Sequence, residues 1–372
     1  MTKYKLGEII ELNPRESIKK GNIARKIAMD DLGEFKRDIE SYSYSEYKGG
    51  TKFRNYDTLM ARITPCLENG KTSFVNILEE NEVAFGSTEY FVFRAKQDII
   101  NPYYLYYLVT TDKFREVAIK SMSGTSGRQR VQKDQILDFS VDLPSLEDQE
   151  KIMKPLKLID DKISLNTKLN TNLLELGLEL ISNINFKNYL PLNKIVEVKD
   201  GTHSSPASTL NGYPLVTSKA IKGTSVDFSQ TKNISEADFT EINKRSLVEY
   251  HDILISMIGT VGIVHLVTEN PVKYAIKNVG LIKSSEKNIL SPFLYLYLLS
   301  DYGQTYIKEH LSGSTQQFIS LTSLRKMPIP ISSNIPAKLI EKLNAIVLKI
   351  EHNSNENNIL NSIKNVLLEK YF

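Results

Sequence analysis

Residues 143–185 read LPSLEDQEKIMKPLKLIDDKISLNTKLNTNLLELGLELISNIN. Their apolar positions Ile152, Leu156, Ile159 and Ile163 step by four, three and four, and the seam continues through Asn166 and Asn170 to Leu173 and Leu180. This is a heptad repeat that tolerates two asparagines. The same seam returns 187 residues later as Leu339, Leu343, Ile346, Ile350, Asn353, Asn357, Leu360 and Leu367. Two helices with matching seams and matching polar interruptions are natural partners for each other. Buried asparagines lower stability and are best tolerated against another polar group, so they argue for fixing register. The seam by itself leaves the relative direction of the two helices open.

Outward from this seam, the whole chain is duplicated. Residues 1–142 read as a mixed α/β head, 143–187 as a long helix, 188–331 as a second head and 332–372 as a second long helix. In the first head Tyr4–Leu12 has a short helix-like pattern, and Ser41-Tyr-Ser-Tyr-Ser-Glu-Tyr suits a surface loop. Short β-branched or aromatic runs beginning at Asp57, Lys71 and Glu89 predict strands. Asn101-Pro102 predicts a capped helix from Tyr103 to Val117, followed by a flexible basic loop, Met122-Ser-Gly-Thr-Ser-Gly-Arg-Gln-Arg. The second head repeats the order: His251-Asp252 answers Tyr56-Asp57 at a shift of 195, Ser291-Pro292 answers Asn101-Pro102 at 190, and Leu311-Ser-Gly answers Met122-Ser-Gly at 189. Such ordered self-similarity marks a tandem repeat. The halves diverge most before Asp57 and Asp252, where Val198-Lys-Asp-Gly-Thr-His and Val216-Thr-Ser-Lys-Ala-Ile-Lys-Gly-Thr have no evident counterpart near residues 13–50.

At 372 residues the chain exceeds one ordinary core. With 41% hydrophobic and 24% charged residues it has the composition of a globular protein. It contains no apolar run near the ~20 residues that span a bilayer, and MTKYKLGEII lacks a signal-peptide core, so a cytoplasmic protein without membrane attachment is expected. One cysteine, Cys66, and five scattered histidines offer no disulfide framework and no zinc pattern, and no metal site is expected. A net charge of +3 permits nucleic-acid binding through local patches.

The sequence carries no catalytic constellation. Gly70-Lys71-Thr72 ends like a phosphate-binding loop, but Pro65 stands where its first glycine belongs. Asp57, Glu68 and Lys71 are spaced unlike a nuclease site and read as surface charges around a turn. Asn101-Pro-Tyr-Tyr superficially resembles an amino-methyltransferase loop, but a helix cap explains both it and Ser291-Pro-Phe. Cys66 reads as a small packed residue. What survives is a set of polar loops with cations. Arg128, Arg130 and Lys133 follow Gly124 and Gly127, Arg62 and Lys71 flank a turn, and Lys219, Lys222 and Arg325 occupy related places in the second head. With Asp200, Gly201, Thr202 and His203 they are the candidate DNA-binding residues.

Leu143-Pro-Ser-Leu-Glu-Asp-Gln-Glu-Lys-Ile and Ile159-Asp-Asp-Lys-Ile-Ser-Leu-Asn resemble the conserved helix of the specificity subunits of type I restriction-modification enzymes. Asp200-Gly-Thr-His-Ser-Ser-Pro, Asp252-Ile-Leu-Ile-Ser, Ile258-Gly-Thr-Val-Gly and Leu311-Ser-Gly-Ser-Thr-Gln are similar to that family's target-recognition domains. Two features depart from it: Pro155 interrupts the first helix, although proline is best tolerated in a first turn, and the second helix opens Ser333-Asn-Ile-Pro-Ala where a glutamine is usual. The resemblance implies an α+β fold of two target-recognition domains, each followed by a long helix, the helices paired as an antiparallel coiled-coil spacer with internal pseudo-two-fold symmetry. It implies a non-catalytic chain that binds double-stranded DNA at a bipartite asymmetric target. The chain would carry no cofactor, while two modification subunits would use S-adenosylmethionine and restriction subunits would use ATP and Mg. The rival readings are a stand-alone methyltransferase or nuclease and a coiled-coil protein scaffold.

Overall fold

The computed structural model describes residues 2–125, 127–184, 186–223, 225–287, 289–330 and 335–372. The chain divides into two compact units, residues 1–166 with 356–372, and residues 167–355. Each unit contains one head and portions of both long helices, which run Leu146–Ser182 and Ala337–Tyr371. The expected opening of the second helix at residues 332–334 lies outside the described residues.

In the first head a four-stranded antiparallel sheet has the order Ile10–Leu12, Tyr90–Ala95, Thr58–Ala61, Thr72–Phe74. In the second head the order is Val198–Asp200, Val279–Ile282, Ile253–Ser256, Val264–Leu266. The central strands Thr58–Ala61 and Ile253–Ser256 are buried at every position, which explains why their sequences are continuous apolar runs rather than alternating ones. A second sheet in each head pairs two strands in parallel: Ile23–Ile27 with Ala84–Gly86, and Tyr213–Val216 with Ala275–Ile276. Beside Ala84–Gly86 the first head adds the strand Thr51–Phe53. Beside Ala275–Ile276 the second head instead packs the helix Glu236–Ser246 through Phe239 and Ile242.

Several expectations change. Tyr4–Leu12 does contain a short helix, the single turn Leu6–Ile9, but it sits between the strands Thr2–Lys5 and Ile10–Leu12, which the pattern did not show. The tyrosine-rich stretch contains the edge strand Ser43–Glu46 rather than a loop, and its exposure explains the polar composition. The predicted helix after Asn101 is two helices, Pro102–Thr110 and Asp112–Lys120. Asn101 caps the first as expected, its Oδ1 accepting from Tyr103 N at 2.8 Å. Thr111 ends it, because its hydroxyl donates to Leu108 O at 2.7 Å and accepts from Phe114 N at 3.3 Å, and its ψ of 151° leaves the helical region. Ser291 is no cap: its buried hydroxyl donates to His251 O at 2.7 Å. The segment after Val216 does have a counterpart. In both heads the parallel strand leads into one 3-10 turn, Met29–Asp31 or Ser218–Ala220, and then a loop closed by a bridge, Leu32 to Ile39 or Ile221 to Val226.

Asp57 is not a surface charge, and neither is Lys71. Asp57 and Asp252 are fully buried at the start of equivalent strands. Each follows a residue at positive φ, Tyr56 at 74° or His251 at 68°, a rare conformation for such side chains. The turn is held identically in both heads, with Arg54 N donating to Asp57 Oδ2 and Glu249 N to Asp252 Oδ2, both at 2.8 Å. The counterion differs: Arg94 donates to both Asp57 oxygens at 2.7 Å, while Lys283 donates to Asp252 at 2.6 Å.

The long helices run antiparallel. In the first unit Leu156 shares a cluster with Leu367, Lys364 donates to Asp160, and Asn166 Nδ2 donates to Asn357 Oδ1 at 2.9 Å, so rising numbers on one helix meet falling numbers on the other. In the second unit Asn353 Nδ2 donates to Asn170 Oδ1 at 2.7 Å, and Gly177 lies against Ile346. Each asparagine therefore meets the repeat-copy of the other one, not its own. All the seam residues from Ile152 to Leu173 and from Leu339 to Leu360 are buried or half-buried. The first helix begins at Leu146, capped by Ser145, whose hydroxyl accepts from Asp148 N at 3.2 Å. It continues through Pro155, which therefore does not mark its start. Gln149, fully buried, anchors this end by donating to Ile99 O and Pro144 O and accepting from Asn101 N.

Candidate nucleic-acid interface

The turn that links the parallel strand of each head to the following antiparallel strand gathers most of the candidates. In the first head this turn, between Ala84–Gly86 and Tyr90–Ala95, carries Glu89. Arg130 forks onto Glu89, with Nε at 3.0 Å from Oε2 and Nη2 at 2.7 Å from Oε1, and Arg62 Nε adds a contact at 3.2 Å. These guanidinium groups, Arg130 foremost, hold the Glu89 carboxyl below its ordinary pKa. The backbone brings them there: Arg62 N bonds Glu89 O, Val131 N bonds Arg62 O, and Arg130 forms a bridge with Ser123.

Arg130 has few N–H groups left for a ligand, since Nη1 also donates to Arg128 O. Arg62 keeps its two terminal nitrogens, and Arg128 is exposed on the glycine loop. Lys133 is exposed at the start of the helix Lys133–Leu137. Lys71 belongs elsewhere. Its amine donates to Met29 O at 2.9 Å and reaches Asp30 at 3.4 Å, so it ties a loop to the sheet.

In the second head the equivalent turn carries Lys277 and Asn278, the latter at a φ of 53°. The loop Asp200–Ser205 is stitched to it by backbone bonds, Thr202 N to Ile276 O at 3.0 Å and Asn278 N to Thr202 O at 3.2 Å. Only glycine fits at 201, because a Cβ there would lie 2.4 Å from Ile276 O. His203 is exposed yet held, with Nε2 2.8 Å from Asp200 Oδ2 and Nδ1 2.7 Å from Asn278 Oδ1. Asp200 is buried and also pairs with Arg245, which explains an acid in a loop that otherwise offers hydroxyls and cations. Thr202, Ser204 and Ser205 line the same edge, and the Lys277 amine bonds Ser205.

Lys219, exposed, follows Ser218, whose hydroxyl donates to Asn278 O at 3.4 Å. Lys222 is exposed further on, in the loop closed by Ile221 and Val226. Arg325 lies apart from this turn: Nε and Nη2 both donate to Val198 O, at 3.0 and 2.9 Å, fastening the helix Leu321–Lys326 to the sheet.

The structure therefore unites Arg62, Arg128 and Arg130 in one head, and Asp200 to His203 with Lys219 in the other. It sets aside Lys71 and Arg325 as scaffold. It adds Glu89, Arg245, Lys277 and Asn278, of which only Lys277-Asn278, a polar pair between two apolar runs, carried a turn signal in sequence. Among the described residues no group of three or more His, Cys, Asp or Glu is placed to hold a metal ion, and no helix is long and apolar enough to cross a membrane.

Residues 1–175 and 192–365 both match the family model of the type I restriction modification DNA specificity domain. The chain is similar to the type I restriction enzyme EcoAI specificity subunit of Escherichia coli, 36% identical over 106 residues that make up 28% of this chain and 18% of the relative. It is also similar to the HindI specificity subunit of Haemophilus influenzae, 31% identical over 196 residues, 50% of this chain and 40% of that one. The matches thus span less than half of these relatives' own length. A crystal structure of the type I restriction-modification S subunit from M. genitalium aligns with 100% of this chain and 96% of its own at a TM-score of 0.55 and 16% identity, a likeness of fold. With a copy of the domain matched in each half, the chain belongs to the type I restriction-modification DNA specificity family.

Proposed function

We propose that this chain is the non-catalytic DNA-recognition subunit of a type I restriction-modification system, each head reading one half of a bipartite, asymmetric double-stranded target. The observation that carries this reading is one frame with two chemistries. Both heads repeat the same sheet order and the same strained turn before a buried aspartate, while the exposed turn differs: Glu89 with arginines in one, Lys277 and Asn278 with His203 in the other. Paired readers of unlike half-sites need that combination, because phosphate contacts position a protein and base contacts specify the sequence.

The partners in this proposal are two modification subunits carrying S-adenosylmethionine, joined by restriction subunits that use ATP and Mg. The helix pair offers them a surface. In the first unit the heptad places exposed Leu158, Leu165, Ile359, Ile363 and Val366 along one flank, the flank on which Lys162 pairs with Glu356 at 3.2 Å. A contiguous exposed apolar stripe of this kind marks an interaction site.

The test is a transfer assay with labelled S-adenosylmethionine and DNA. The chain alone transfers no methyl group, the chain with its modification subunits does, and DNA retention falls steeply with salt. Methyl transfer by the chain alone, tracking its concentration through purification, refutes the proposal.

A further inference from the structure

The two junctions between head and helices occupy equivalent positions and use opposite chemistry. Thr111 and Ser300 mark the same helix break in the two heads, each hydroxyl donating to the carbonyl three residues earlier. The two helices span nine residues each, Pro102–Thr110 and Ser291–Leu299, a shift of 189 rather than the 190 read from their prolines, so four residues before the break stands Tyr107 in one head and Leu296 in the other. Along the long helices the 187-residue repeat matches Asp160 with Val347 and Gly177 with Lys364.

In the first unit these positions form a buried polar chain. Tyr107 donates to Asp160 Oδ2 at 2.8 Å, Lys364 donates to Oδ1 at 2.8 Å, and Asp160 is 5% exposed. In the second unit the same three positions are apolar: Leu296 and Val347 share one core, and a Cβ on Gly177 would lie 3.1 Å from Leu296 Cδ1. A second contact differs in the same sense. Arg37 of the first head pairs with Asp161 at 2.8 Å, whose counterpart is the exposed Leu348. The second head is fixed instead by the Tyr250 hydroxyl on Glu351 at 2.9 Å, whose counterpart on the first helix is Ser164.

We propose that the two junctions are orthogonal keys, so that each head docks stably only at its own station on the helix pair. A head moved to the other station would bury a hydroxyl or a carboxylate without its partner, an arrangement that excludes wrong pairings far more strongly than an apolar mismatch does. The order of the heads is then fixed by packing as well as by connectivity, and heads can be exchanged only station for station.

Thermal unfolding of full-length variants tests this. D160V strands the Tyr107 hydroxyl and the Lys364 amine and should lower Tm by on the order of 10 °C. Y107L/D160V/K364A makes the three positions apolar, as they are in the other unit, and should recover most of that loss. In a second design, residues 1–142 replace residues 188–331, so that the copied Tyr107 faces Val347 and Gly177. This chimera should melt below the same chimera carrying G177K and V347D, which supply the missing carboxylate and amine. Equal melting of the two chimeras, a D160V chain as stable as the parent, or a triple variant no better than D160V overturns the proposal. These comparisons involve no DNA, so their outcome is separable from that of the recognition reading.

Discussion

The asparagines at the centre of the helix seam should behave as a coupled pair. Asn353 is 1% exposed and donates to Asn170 Oδ1 at 2.7 Å, while Asn170 Nδ2 donates to Ser354 Oγ at 3.2 Å and Ile350 O at 3.3 Å. Asn353→Ala removes one hydrogen bond, worth about 1 kcal/mol net, and leaves the Asn170 oxygen buried without its donor at roughly 1 kcal/mol more, so about 2 kcal/mol is expected. Asn170→Ala strands the more deeply buried amide and should lose about as much. The double variant strands neither partner, so its loss should be about 2–3 kcal/mol rather than 4, a coupling of about 1–2 kcal/mol. For a unit of this size each kcal/mol corresponds to about 2–4 °C in Tm, within reach of differential scanning fluorimetry or urea titration of the four proteins. Strictly additive losses would mean that the asparagines face water or other partners, and the antiparallel register would be wrong.

Three further outcomes follow from the heads. Arg128→Ala should flatten the log–log dependence of DNA affinity on salt by about 0.9, one phosphate contact, whereas Arg325→Ala should leave that slope unchanged and lower stability toward the lower end of about 1.5–3 kcal/mol, because it removes two donors from Val198 O. Glu89, held below its ordinary value of 4.5, makes the folded state bind fewer protons than the unfolded one. The stability it contributes is therefore present above about pH 4.5 and lost as pH falls below that; Glu89→Gln should flatten this part of the pH profile in equilibrium unfolding. Gly201→Ala places a Cβ 2.4 Å from Ile276 O and should displace the Asp200–Ser205 loop at about 1–3 kcal/mol, weakening discrimination at the second head's half-site while the first head's preference survives in competition binding.

What sequence revealed and what it hid divide along physical lines. The seam, the Asn101 cap and the strand at Asp57 were legible because each depends on neighbours a few residues away, and the duplication because whole stretches recur in the same order. Helix direction was not, because a seam that matches its own copy reads the same both ways. The burial of Asp57 depends on Arg94, and the anchoring of Lys71 and Arg325 depends on Met29 and Val198, 42 and 127 residues distant. Cations that close such contacts carry the same local signature as cations awaiting DNA. The correspondence between the loops Leu32–Ile39 and Ile221–Val226 was hidden for another reason: their lengths differ, and only the closing backbone bridge is shared.

Whether the two heads read two half-sites independently is decided by methylome sequencing with an exchanged head. The complex of chain and modification subunits would be reconstituted with residues 1–142 replaced by the first head of a related protein, and the methylated sequences compared with those of the parent. One half of the bipartite target should change while the other half is retained base for base. A target altered in both halves, or in neither, would contradict independent reading.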